Sequence, residues 1–175
     1  MTSKKFDIYI ALLLRFIIAL LLFTFCRIIF LVFNFSFYSD ISSTAVFKIL
    51  TGGVIFDISS LFYLLSLYIV FQILPFKFRN IKLYQKISFW LYLIPVSLGI
   101  ILNLSDTLYY QFTLKRTTFA IIEQFSNETN MGKLFFQFIL DYWYMVLTSG
   151  SLIYLTIFLN KKIDIKTVKI KNPFY

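Results

Sequence analysis

Residues 8–35 read IYIALLLRFIIALLLFTFCRIIFLVFNF, an apolar run broken only by Arg15, Arg27 and a few small polar groups. At about 1.5 Å per helical residue such a run outreaches the ~30 Å hydrocarbon core of a bilayer. It is too long for the apolar region of a cleaved signal peptide and has no small-residue cleavage site, so it is read as a persisting first span. Lys4 and Lys5 precede it and place its start on the cytoplasmic side. Arg15 lies close enough to the inner end to snorkel, whereas Arg27 lies several residues inside the outer end and needs a partner or a wet cavity.

The rest of the chain agrees with that first run. Its 175 residues are 59% hydrophobic and 21% aromatic, with a mean hydropathy of +0.81. These values belong to an integral membrane protein. The formal charge is +9 and there is no histidine, which excludes imidazole bases and histidine-bound metals. The single cysteine, Cys26, sits in an apolar run and is read as packing. Lysines and arginines cluster between apolar runs, so topology explains the basic balance better than nucleic acid does.

Further spans are expected at about 58–74, 87–104 and 134–159, joining the one at 8–35. Between the first two, a short amphipathic helix is expected over 43–50, followed by a break at Gly52 and Gly53. Asp57 then becomes the N-cap of the second span. The loop 76–86 carries Lys77, Arg79, Lys82 and Lys86 without an acid, and the tail NKKIDIKTVKIKNPFY carries five lysines against Asp164. Both are assigned to the cytoplasm, with both termini. The fold expected is all-α, a single integral membrane bundle of four transmembrane helices plus an outer interfacial amphipathic helix.

That outer helix is read from Asn103 to Thr118, NLSDTLYYQFTLKRTT. Asn103, Asp106 and Tyr110 share one helical face and form an outer polar cluster. Lys115 falls on an apolar stripe with Leu108, Phe112, Phe119 and Ile122, the pattern of a helix lying in a membrane interface. Lys115 and Arg116 are therefore assigned to anionic lipid headgroups, against the plainer reading of an ordinary connector. Arg27 and Asp141 both fall roughly 10 Å below the outer boundary by residue rise, and an intramembrane pair between them is expected if the first and fourth spans are neighbours. The alternative is that each meets other polar groups or water.

Eight acids spread one per segment make no carboxylate cluster, and without histidine no Ser-His-Asp or Cys-His arrangement exists. Catalysis by this chain alone is not expected, and no metal or other cofactor is assigned to it. The segment NLSDTLYYQFTLKRTTFAIIEQF at 103–125, NETN at 127–130, DYW at 141–143 and FDISS at 56–60 together resemble the N-terminal membrane domain of the lipoteichoic acid synthase-like family, of the type found in Bacteroidetes. These are membrane-anchored sulfatase- and phosphatase-like proteins of the alkaline phosphatase superfamily. One departure is Ile55, where the family's pattern has a basic residue. The resemblance implies a five-span membrane domain carrying an extracytoplasmic catalytic domain with a threonine nucleophile and a divalent metal. This chain stops about where the fifth span would begin, so the expectation is an anchoring domain in the bacterial cytoplasmic membrane, truncated before its catalytic part. A stand-alone scaffold or lipid-binding protein is the alternative. Expected partners are membrane lipids, with a separately encoded catalytic domain or a second copy of the chain, and no nucleic acid.

Overall fold

In a computed structural model of the chain, residues 5–6, 8–38, 42–74, 81–116 and 131–165 are described. Helix α1 spans Ile8–Phe33 and is followed by a 3-10 turn, Phe35–Tyr38. Helix α2 spans Ser43–Leu64, and α3 follows over Ser66–Ile73 after a single break at Leu65. Helix α4 spans Lys82–Thr113, α5 Met131–Asp141 and α6 Trp143–Lys162. Two short strands, β1 (Lys5–Phe6) and β2 (Asp164–Ile165), pair in parallel and bring the two ends of the described chain together. Among the described residues four helices are long and apolar enough to cross a membrane: Tyr9–Phe33, Thr44–Leu64, Lys82–Thr113 and Trp143–Lys162. The protein is an all-α, multi-pass membrane bundle.

The reason for this arrangement is legible in α1. Ala11, Arg15, Ala19, Leu22, Cys26 and Phe30 are buried along one face, while Leu13, Ile17, Leu21, Phe25, Ile28 and Val32 are exposed on the other. The exposed face is as apolar as the buried one, which water would not tolerate and lipid does. Small residues in the buried stripe let α1 lie close against α4, whose own stripe runs through Tyr84, Ser88, Tyr92, Val96, Ile100, Leu104 and Leu108. Phe23 reaches Gly99 so closely that a Cβ there would overlap its ring. The α1–α4 pair is the centre of the bundle, with α2 packed on α1, α3 on α4 and α6 on α4.

Three boundaries differ from the sequence reading. Helix α2 starts at Ser43 and continues through Gly52 and Gly53 without a break, so residues 43–57 belong to the second span. Two glycines cost a helix about 1 kcal/mol each, whereas each backbone group left unsatisfied in hydrocarbon costs several, and the helix wins. The break comes instead at Leu65, where the Ser66 hydroxyl donates to the Tyr63 carbonyl at 2.8 Å. Asp57 is therefore not a cap: the N-cap is Ser42, whose Oγ accepts the Ala45 N–H at 3.3 Å. Second, residues 103–113 complete α4 instead of opening a separate interfacial helix, and α4 ends where Leu114 turns left-handed at φ 54°. The end of that expected helix, 117–118, and the stripe residues Phe119 and Ile122 lie outside the described residues. Pro95 lies inside α4 without ending it. Third, the fourth span is two helices meeting at Tyr142, with Trp143–Lys162 the part long enough to cross.

Candidate functional site

The polar centre of the bundle is built on Arg27. Its Nε donates to Asp57 Oδ2 at 3.2 Å, and its Nη2 donates to Asp57 Oδ1 at 2.5 Å and to the Gly53 carbonyl at 3.1 Å. Both side chains are close to fully buried, at 10% and 7% exposure. Gly53 and Asp57 stand one helical turn apart, so one face of α2 presents a carbonyl and a carboxylate to the same guanidinium. Gly53 is needed for the fit: a Cβ there would fall on Arg27 Nε, Cζ and Cδ. A two-pronged pair of this kind is the geometry that arginine satisfies and lysine does not.

This corrects the expected partner. Arg27 pairs with Asp57, and Asp141 is exposed at the end of α5. The depth argument failed because it began the second span after Asp57. Once 43–57 is helical, Asp57 is carried into the bundle on α2, which packs directly on α1.

Beside this pair lies a half-open cavity of about 370 Å³, lined by Phe23, Arg27, Phe56, Asp57, Ser60, Asn103 and Arg116. Asn103 hangs from α4 with its Nδ2 donating to the Gly99 carbonyl at 2.9 Å. Arg116 follows α4 and lays its guanidinium over the Phe30 ring, 4.9 Å from the centroid, a cation–π contact. Phe30 packs edge-on to Tyr110, and Tyr110 stacks against Tyr38. The Tyr38 phenol is pushed up to about 12, chiefly by desolvation and then by its hydrogen bond and electrostatic coupling to Tyr110, with Arg116 opposing. Below them Asn34 is fully buried and donates from Nδ2 to the carbonyls of Phe30 (3.0 Å) and Thr107 (3.1 Å), tying the end of α1 to α4.

Of the residues singled out in the sequence, the fold thus brings Arg27, Asp57, Asn103 and Arg116 to one cavity, with Tyr110 in the aromatic cluster beside it. Asp106 is half-buried on α4, and Lys115 is exposed after the helix end; neither lines the cavity. Gly53 and Ser60 escaped the sequence reading, although Gly53, Asp57 and Ser60 recur at helical spacing once α2 is known to be continuous.

A second polar layer was also missed. Arg15, expected to snorkel, is buried and donates from Nη1 to the Tyr68 hydroxyl at 2.9 Å. Gln72 Nε2 donates to Tyr68 Oη (3.3 Å) and Ser88 Oγ (2.9 Å), and the Tyr92 hydroxyl donates to the Arg15 carbonyl (3.0 Å). Its signal was the i, i+4 spacing of Tyr68 with Gln72 and of Tyr84, Ser88 and Tyr92 on otherwise apolar helices. Among the described residues no three His, Cys, Asp or Glu side chains converge in a way that would hold a metal ion.

The chain matches no protein-family model, no curated protein and no solved structure.

Proposed function

We propose that this chain is a membrane-anchoring domain, of the kind the lipoteichoic acid synthase-like resemblance implies, holding a catalytic domain at the outer face of a bacterial cytoplasmic membrane. It has no catalysis of its own in this reading. The observation that carries it is how two sets of interior polar side chains are tied. Arg27, Asp57 and Gly53 are bound to one another in one layer, and Arg15, Tyr68, Gln72, Ser88 and Tyr92 in a second. Between them Ala19, Leu22, Phe23, Leu61, Leu65, Val96 and Ile100 form a buried apolar plug. A channel or carrier needs a polar path through the midplane, and such a plug favours a static holder instead. The pairing of β1 with β2 and the basic loops support an arrangement with both termini on the cytoplasmic side.

The test is the coding DNA beyond residue 175. This reading expects a further span and a sulfatase-like domain, in frame or displaced by a frameshift. Neither being present overturns it and favours the second reading, a stand-alone lipid-binding scaffold, for which the half-open cavity at Arg116 speaks.

A further inference from the structure

We propose that the cavity between α1, α2 and α4 binds the phosphodiester headgroup of an anionic lipid, with Arg116 as the selecting cation. The site does not depend on the anchoring role. Three charges line the cavity. Arg27 and Asp57 neutralise each other through a two-pronged pair, while among the described residues no carboxylate pairs with Arg116, which rests on the Phe30 ring. Among the described residues the cavity therefore carries one uncompensated positive charge, and a phosphodiester carries one negative charge. Tyr38, close by, keeps a neutral phenol at neutral pH and supplies no competing anion.

The neutral groups suit the same ligand. Ser60 offers a hydroxyl, and Asn103, with its nitrogen committed to Gly99, keeps its amide oxygen as an acceptor for a headgroup hydroxyl. At ~30 Å³ per water the volume would hold about a dozen waters, enough for a small polar headgroup. A lipid is favoured over a soluble diester by the walls and the mouth. Phe23 and Phe56 line the cavity, and Phe56 (72% exposed) and Ser60 open onto the apolar surface of α2 that faces acyl chains. Arg116 stands just past the end of α4, a 32-residue helix that at about 1.5 Å per residue outreaches the ~30 Å hydrocarbon core. Lys115, its neighbour, is exposed and outside the cavity, so the two cations have different roles.

Native mass spectrometry of the full chain in detergent tests this, titrating dioleoylphosphatidylglycerol, dioleoylglycerol and chain-free glycerophosphoglycerol. The anionic lipid is expected to bind more tightly than either fragment. Arg116→Gln should weaken it roughly tenfold, the loss of a charge-assisted contact, with Arg116→Lys recovering part of the loss. Lys115→Gln should stay within about twofold, as a screened surface charge. Ser60→Leu, at an exposed position, should weaken binding by filling the mouth, and it reads the site even if Arg116→Gln lowers stability. Equal losses from Lys115→Gln and Arg116→Gln would mean diffuse surface attraction and overturn the site. Dioleoylglycerol binding as tightly as the anionic lipid would remove the phosphate from the proposal, and glycerophosphoglycerol doing so would make it a soluble-anion site.

Discussion

At the scale of single residues, stability turns on which polar atoms are left alone in hydrocarbon. Removing either member of the buried Arg27–Asp57 pair abandons the other charge, at a cost of about 3–5 kcal/mol, whereas removing both leaves an apolar contact. Arg27→Met and Asp57→Leu are each expected to cost about that much in unfolding measured in lipid bicelles, and the double variant to regain part of it. Asp141→Leu, at an exposed position, should change stability by no more than ~0.5 kcal/mol. Additive losses at Arg27 and Asp57, or coupling of Arg27 to Asp141 instead, would refute the pairing. Tyr68→Phe takes a hydroxyl from Arg15, whose Nε has no hydrogen-bond partner among the described residues. A loss of ~1–3 kcal/mol is expected by the same measurement, and a neutral outcome would show that water or lipid satisfies this arginine.

At the scale of elements, the second span is the informative one. Its two adjacent glycines do opposite things in a continuous helix. A Cβ at Gly52 meets nothing within 4 Å, while one at Gly53 lands on the Arg27 guanidinium. Gly52→Ala is therefore expected to stabilise by about 0.5–1 kcal/mol through helix propensity. Gly53→Ala should destabilise by about 1–3 kcal/mol through overpacking. Thermal unfolding of the two single variants checks both signs. If the helix broke at this pair, the two substitutions would act alike.

At the scale of the whole molecule, the β1–β2 pairing closes the bundle by joining the segment before α1 to the segment after α6. Phe6 and Ile165 are register partners. With Cys26 replaced by Ala, cysteines at these two positions should be linked by a short bifunctional thiol reagent, read as a mobility shift on denaturing gels. The same pair should label with an impermeant maleimide from one side of the membrane only, the cytoplasmic side in the proposed topology. Labelling from opposite sides would rule out the even number of crossings on which the bundle rests.

What the sequence determined by itself was the solvent. Transfer of apolar surface is nearly additive along a chain, so the apolar runs around 8–35, 87–104 and 134–159 identified membrane helices without knowledge of their neighbours. The packing role of Cys26 could be read in the same local way. Only the tertiary structure decided the partner of Arg27, the burial of Arg15 and the meeting of Asn103 with Arg116. Each depends on which helices are adjacent and where α2 begins, and hydropathy is blind to both. The Gly52–Gly53 pair looked like a stop because in water it often is one. In hydrocarbon a broken helix leaves bare backbone groups, so the helix ran on and carried Asp57 to the guanidinium of Arg27.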